Sequence, residues 1–450
     1  MNSVKNQKRG KFFALLVLIN IMGLAAAAIL SPIVKDIAQA FSVQEDEIYY
    51  IQTITLIATA IFTIFWAFIA DKYERIKVLR GSIIIWTVFC FLSILARDPL
   101  TLLLFQIVMV FGIAAIIPTT YSMTTDLIHK YGRSESFGWL SMAQNLGSGF
   151  AFLLGGFLID FSDWRTPFII LSVLGTLGLP LLFFKFKEPQ RGQMEEELCA
   201  VFEQCKTYNY RLSLKDFRMV IKPTSNFLIL ASGFISIFCT GAIGYTFVTM
   251  MRTDHQCSST LATIFLIIIF IPQIFFPILL GKISDKRAEK NPTILIKILI
   301  VCTIITIIGY SIGFLIPFKF AGDILIEGTI FDVLLFVIIL FFSLGFASGI
   351  PPMLFSALSY LNPPETRATI YSISEVTRSI GRGVGIAIMA FLAVNVFNGF
   401  YSVPMTLSTL FLLISAVLII PIFITYSKDI AKLQEKLKER AQAILSRKNI

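Results

Sequence analysis

The chain has 450 residues, of which 56% are hydrophobic and only 15% charged, and it carries a net charge of +10. A soluble protein of this length carries roughly 25% charged residues, so the composition argues against a water-soluble domain. Two histidines, six scattered cysteines and the lack of metal-ligand spacing, nucleophile motif or P-loop argue against zinc sites, histidine-based catalysis and ATP-driven pumping; no metal or cofactor is expected.

Apolar stretches of about 20 residues recur along the whole chain, each long enough to cross a hydrocarbon core of ~30 Å. They lie near 12–34, 48–70, 78–96, 100–125, 137–159, 166–184, 226–250, 261–280, 293–317, 331–358, 368–394 and 404–426. These runs lack the alternation of barrel strands. They predict an all-α membrane protein of about 12 transmembrane helices in two pseudo-symmetric six-helix bundles. The first stretch has a basic flank and small residues from Ala25 to Ala28, as a cleaved signal peptide would, but its length and the even span count favour a retained helix. Residues 1–186 then form the N-terminal bundle, 187–222 a cytoplasmic linker, 223–426 the C-terminal bundle and 427–450 a cytoplasmic tail. The linker opens on Glu188-Pro189-Gln190-Arg191-Gly192, and the spacing of Leu198, Val201 and Phe202 after it predicts one or two short helices on the cytoplasmic face. In the tail, Ile430, Leu433, Leu437 and Ile444 among lysines and glutamates predict an amphipathic helix, either lying on anionic headgroups or solvated.

With the N-terminus placed in the cytoplasm, roughly 31 of the 38 Lys and Arg fall in the N-terminal tail, the even-to-odd loops and the C-terminal tail, and roughly 5 on the other side. The basic excess therefore reflects topology rather than a nucleic-acid partner. The expected location is the plasma membrane, multi-pass, with both termini cytoplasmic.

The two halves echo each other. Ala67-Phe68-Ile69-Ala70-Asp71-Lys72 recurs as Gly281-Lys282-Ile283-Ser284-Asp285-Lys286, while Pro118, Arg133, Phe137 and Gly147 align without a gap to Pro352, Arg367, Tyr371 and Gly381. A duplicated six-span unit is the ground plan of many carriers, with the substrate site between the halves. Pro118 and the Pro351-Pro352 pair should kink spans four and ten. Gly147, Gly149, Gly155 and Gly156 read as sites of close helix packing. Acids at helix ends beside basic loop residues suit a latch between helix bundles. Asp71, Arg75, Lys77, Arg133, Asp285, Lys286 and Arg367 are the gating candidates, with Arg133 and Arg367 reaching toward Asp71 or Asp285, or else serving as simple positive-inside anchors.

The stretch from Ala67 to Lys77 resembles the loop between spans two and three of the major facilitator superfamily, with Ala67, Lys72 and Glu74 departing from the family pattern. Leu146-Gly147-Ser148-Gly149, Gly155-Gly156, Trp164-Arg165, Glu188-Pro189-x-Arg191-Gly192, Pro364-Glu365-x-Arg367 and Ile380-Gly381-Arg382-Gly383 are similar to the Spinster-type lipid carriers within it. The resemblance implies a secondary active or facilitative transporter working by alternating access. The Asp-Arg pair usual in span one of that subfamily falls near Met22-Gly23 here, and its span-four Arg and Glu fall near Gln106 and Ile113, so proton antiport does not carry over.

Glu375, Arg378 and Arg382 are the ionisable residues deep inside a span, and their spacing puts them on one helix face with Tyr371. Facing lipid, three charges would cost on the order of 8–10 kcal/mol, so they face the interior. In one reading Glu375 and Arg378 pair and merely pin span eleven. In the other, two arginines against one carboxylate bind an anionic head group. The resemblance then implies an amphipathic anion such as a lysophospholipid or a phosphorylated sphingoid lipid. Glu375 is the candidate carrier of any coupling proton. In the amino-terminal half the polar set is Asn20, Gln52, Gln106, Tyr121, Gln144 and Asn145, either interhelical hydrogen bonds or a neutral wall of the same site. Partners are therefore the bilayer and a small-molecule or lysolipid substrate. The alternatives are a carrier of a small organic anion or drug-like compound, an intramembrane lipid-modifying enzyme, and a non-transporting sensor.

Overall fold

The computed structural model describes residues 2–159, 162–184, 186–204, 207–208, 210 and 223–446. Much of the expected linker (205–206, 209 and 211–222) and the last four tail residues, 447–450, lie outside the described residues. Among those described, ten helical stretches are long and apolar enough to span a bilayer: Arg9–Phe41, Glu47–Lys72, Arg75–Leu95 and Pro99–Leu127 in the first half, then Thr224–Thr253, Ser259–Ala288, Thr293–Gly313, Ile330–Leu361, Pro364–Asn395 and Ser402–Ser446 in the second. Helices Arg133–Ile159 and Thr166–Phe184 occupy the fifth and sixth positions. The sequence of twelve expected spans is thus matched helix by helix, and they are numbered one to twelve below.

Apolar side chains turned outward and a backbone satisfied within each helix are what lipid demands. Where the chain breaks the rule, proline is close by. Span four divides into Pro99–Ile113 and Ile116–Leu127, just ahead of Pro118, whose missing N–H cannot continue the helical ladder. Span eight divides at Ile271, before Pro272. Pro351 and Pro352 instead lie within one helix, Ile330–Leu361.

Glycines set the closest approaches. A Cβ on Gly147 of span five would fall 2.4 Å from the Ile21 carbonyl of span one. Its repeat partner Gly381 in span eleven meets the Phe234 carbonyl of span seven in the same way, at 2.5 Å. The two bundles are therefore packed by the same device at equivalent positions. Between the bundles, contacts run through spans two and eleven, four and eleven, five and eight, and five and ten. Spans five and eight cross backbone to backbone, because Gly138 faces the Pro277 carbonyl and Gly281 faces that of Ser134.

The inter-bundle contacts cluster at the end that carries the linker, called the linker end here. At the far end, an antiparallel hairpin of Lys319–Ala321 with Ile324–Glu327 follows span nine. Cys90, Cys239, Cys257 and Cys302 are buried as small apolar groups.

The last helix, Ser402–Ser446, runs unbroken from span twelve into the tail. Its apolar face does not lie on headgroups. Leu437 and Ala441 are buried against Leu198, Val201 and Tyr208, with Leu433 and Ile444 packed beside them. The same apolar spacing that suits a membrane surface suits the apolar linker, and the linker is tethered within reach.

Neighbouring glycines should respond oppositely to substitution. Gly149 has nothing within 4 Å of its Cβ position, so Gly149→Ala should stabilise the helix by about 0.5–1 kcal/mol. Gly147→Ala should cost ~1–3 kcal/mol, because the helices it joins must separate. Thermal unfolding of the two purified variants in detergent checks the sign of each.

Candidate functional site

Two carboxylates seal the linker end. Asp71, at the end of span two, accepts hydrogen bonds from the backbone N–H of Ala368 at 3.1 Å and of Thr369 at 2.7 Å, and from the Thr369 hydroxyl at 2.6 Å. These amides are the second and third of span eleven, whose helix begins at Arg367. Asp285, at the end of span eight, accepts from the Ser134 and Glu135 N–H groups at 3.1 and 2.8 Å, the same positions of span five. Each bundle thus caps a helix of the other. The first amides of a helix have no internal acceptor and carry partial positive charge, which is what a carboxylate satisfies.

Arg133 and Arg367 do not reach these aspartates, which are already engaged by backbone amides. They converge instead on one carboxylate of the linker: Glu195 Oε1 accepts from Arg133 Nη2 at 2.5 Å and from Arg367 Nη2 at 2.7 Å. Both arginines are fully buried. Burial works to raise the Glu195 carboxyl, but the two guanidinium charges outweigh it and hold the group down at about 2. Arg75 stays within its own bundle and the start of the linker, bonded to Asp126 at 2.5 Å and Glu188 at 3.0 Å. Arg191 donates to the carbonyls of Ala70, Asp71 and Tyr73, tying the linker to the end of span two. Lys77 pairs with Glu74 on the surface and Lys286 is exposed, so neither enters the seal.

Directly above the seal lies an aromatic layer. The Tyr121 ring stacks on Phe137 at 5.1 Å and meets Phe355 at 4.8 Å, while Tyr371 stands 5.7 Å from both Phe137 and Phe355. Tyr371 is buried in this layer rather than exposed to the cavity.

A cavity of about 230 Å³ opens above the layer, between the bundles. Tyr121, Ser141, Gln144 and Asn145 line it from the first half; Thr240, Gln273, Ser348, Arg378 and Arg382 are its polar groups from the second. Gln144 Nε2 donates to the Tyr121 hydroxyl at 3.2 Å, and Asn145 Nδ2 to the Gln273 carbonyl at 2.9 Å, across the bundles. Gly241 makes room for one arginine, since a Cβ there would fall 2.6 Å from Arg382 Cγ. Arg378 lies 5.8 Å over the Phe355 ring. Glu375 stands 3.8 Å from Arg378 Nη1, an ion pair too long for a hydrogen bond, and lies outside the cavity lining.

The structure therefore brings Tyr121, Gln144, Asn145, Arg378 and Arg382 together, with Glu375 beside them. It separates Asn20, Gln52 and Gln106, which line no part of this cavity. Asn20 donates to the Leu16 carbonyl and the Thr120 hydroxyl at 2.8 and 3.1 Å, Gln106 to the Ser93 hydroxyl at 3.0 Å, and Gln52 to the Ser31 hydroxyl. A buried amide takes whatever partner its own bundle offers, since leaving it bare is costly. Sequence reasoning missed Gln273 and Thr240 in the cavity and Asp126, Glu188, Arg191 and Glu195 in the seal. Gln273 was visible as an isolated amide in an apolar run; Glu188 and Arg191 stood in the opening motif of the linker without a role, and Glu195 has no counterpart in the repeat to single it out.

Residues 14–318 match the Major Facilitator Superfamily family model. Among curated proteins, the chain is 24% identical over 300 residues to bovine protein spinster homolog 1, a stretch covering 62% of this chain and just over half, 55%, of the relative. Among solved structures, the proton:xylose symporter XylE superposes with a TM-score of 0.68 at 14% identity, covering 93% of this chain and 95% of that one. A bacterial homolog of the human lysosomal transporter Spinster, in an inward-facing and unoccupied conformation, superposes with a TM-score of 0.55 at 20% identity, covering 94% and 98%.

Glu195→Gln should weaken the closed linker end by on the order of 2–4 kcal/mol, as two buried arginines lose their shared charge. The sign with pH follows from its lowered pKa: the stabilisation is complete above the unfolded carboxyl value of ~4.3 and lost as pH falls through about 2. Melting temperature from about pH 6 to 8 should therefore show no titration attributable to Glu195, with the stabilisation beginning to fall only below about pH 5, whereas Glu195→Gln should be lower across the upper range.

Proposed function

The chain belongs to the Major Facilitator Superfamily, and from that premise we propose that it is a secondary active or facilitative carrier of an amphipathic anion, of the lysophospholipid kind, working by alternating access. The cavity carries this reading. It lies between the bundles, its charged lining is Arg378 and Arg382, and its other wall is made of neutral amides and hydroxyls. A guanidinium pair in a low-dielectric cleft binds phosphate or carboxylate by charge-assisted, bidentate hydrogen bonds. Neutral groups opposite can hydrogen-bond the polar remainder of a head group without adding charge, while apolar residues such as Ile237, Phe270 and Leu344 accept a hydrophobic portion.

The Lys and Arg distribution supports a cytoplasmic linker end and cytoplasmic termini; the plasma membrane is the location we propose. On that orientation the present state is closed to the cytoplasm by Asp71, Asp285 and Glu195. The bacterial Spinster homolog, inward-facing, represents the opposite state of the same fold. Its lower TM-score despite higher identity than XylE fits a different arrangement of the two bundles. Glu375, next to Arg378, is the group through which a proton could be coupled to substrate release.

A small organic anion is the second reading, favoured by the cavity's modest volume of about 230 Å³. An intramembrane enzyme is disfavoured, because Glu375, the carboxylate beside the cavity, faces Arg378 at 3.8 Å and lies outside the lining that carries the hydroxyls.

The double variant Arg378→Gln/Arg382→Gln tests the site. Each charged hydrogen-bonding group is worth ~1.5–3 kcal/mol, so anion affinity should fall at least about 100-fold. Ligand-induced shifts in melting temperature, with lysophospholipids and small organic anions as probes, should vanish in the variant, and uptake by reconstituted vesicles with them. Retained shifts and uptake in a folded double variant would reject the site.

A further inference from the structure

The tail helix does more than cover the linker. Beyond the membrane-spanning part of Ser402–Ser446, Arg440 Nη1 bonds Glu365 Oε1 at 2.5 Å and the Tyr208 hydroxyl at 2.5 Å, and Tyr208 in turn donates to Glu365 Oε2 at 2.9 Å. The Arg440 guanidinium also lies 4.3 Å over the Tyr210 ring. Three separate elements meet here: the tail through Arg440, the linker through Tyr208 and Tyr210, and the turn before span eleven through Glu365. Glu365 is 3% exposed, so its charge depends on these partners. A second tie lies nearer the membrane, where Asp429 accepts from the Ser225 hydroxyl at 2.8 Å at the first turn of span seven.

The position of Glu365 decides what this junction can do. Pro364–Thr366 is a single turn leading straight into span eleven. Arg367, two residues on, holds Glu195, and Ala368 and Thr369 are the amides that Asp71 caps. A clamp on Glu365 therefore fixes the turn that presents all three groups to the other bundle. The linker is held from the same point, since Leu198 and Val201, just after Glu195, pack on Leu437 and Ala441 of the tail.

We propose that Arg440 is a positioning residue for transport: the tail clasps Glu365 and the linker, and so biases the carrier toward the state closed at the linker end. The clasp acts on the conformational equilibrium and touches no substrate. It rests on the alternating-access reading above but not on the identity of the substrate. When the linker end opens, span eleven and the linker must each part from the first bundle, and a tail that ties both to one point opposes their separate movement. Weakening the clasp lowers the cost of opening.

The test is a pulsed electron-spin distance measurement between labels at exposed sites of the two bundles, His129 and Lys290, on the full-length protein in nanodiscs. In the parent chain one short distance should dominate. Arg440→Glu should shift the population toward a longer distance by about tenfold, the scale of one charge-assisted hydrogen-bond pair. Arg440→Glu combined with Glu365→Arg, which restores the pairing with its charges exchanged, should return the distribution toward the parent. Transport from the far end should show the same shift as a raised KM with little loss of maximal rate, because fewer molecules are in the binding-competent state. Arg440→Gln provides a milder variant should charge reversal prevent folding. An unchanged distance distribution in folded Arg440→Glu or Arg440→Gln overturns the clasp. A shift that the exchanged pair does not reverse overturns the role of Glu365. A clasp that passes while the anion-site variant keeps its ligand response would leave the conformational role standing and sink only the site.

Discussion

Asp71 and Asp285 each close a helix in one bundle and cap the first turn of a helix in the other, and the sealed end of the molecule depends on that exchange. The start of span eleven has no capping side chain of its own: Thr366 stands at the cap position without a side-chain bond to the helix. Its leading amides need an acceptor wherever they are buried. Only the opposite bundle supplies one, so completing the helix and closing the seal are the same event. When the bundles separate, water can take the place of the carboxylates. The net change per hydrogen bond is then only about 1 kcal/mol, small enough for the repeated opening and closing that the proposed alternating access requires.

The linker adds what symmetry could not. Arg133 and Arg367 occupy equivalent positions of the repeat, and two like charges brought together at the seal would repel. A single carboxylate between them, Glu195, converts the repulsion into a bridge that belongs to neither bundle. Asp126 plays a related part nearby, bonded to Arg75 and to the Gly192 amide of the linker. At the closed linker end the segment from Glu188 to Glu195 is thus bonded to both bundles.

The cavity departs from symmetry in the opposite sense. Its arginines come from span eleven alone, and the equivalent face of span five carries Ser141, Gln144 and Asn145. Much of this was legible beforehand. The cost of burying three charges in lipid required Glu375, Arg378 and Arg382 to face inward, and two of them line the cavity. The amides were less legible. Asn20, Gln106 and Asn145 look alike in the sequence, since any of them can serve as an interhelical hydrogen bond or as a cavity wall. Which role each takes depends on helix rotation and on the partner at hand, neither of which a one-dimensional pattern carries.

The amino-acid sequence by itself determined the helical, membrane-spanning architecture, the duplication, and part of the sealed end, namely Asp71, Asp285, Arg133 and Arg367. Lipid forbids unsatisfied backbone and unpaired charge, and those prohibitions can be read from composition and spacing alone. It also aligned Gly147 with Gly381 across the repeat, and both meet a neighbouring carbonyl. Only the tertiary structure decided which acceptor each latch residue found: helix amides for Asp71 and Asp285, the linker carboxylate for the two arginines, and the linker rather than a membrane surface for the tail. The reason is common to all three. A charged or amphipathic group states in the sequence that it needs a partner, whereas the partner is chosen by competition among groups that folding brings within about 3 Å.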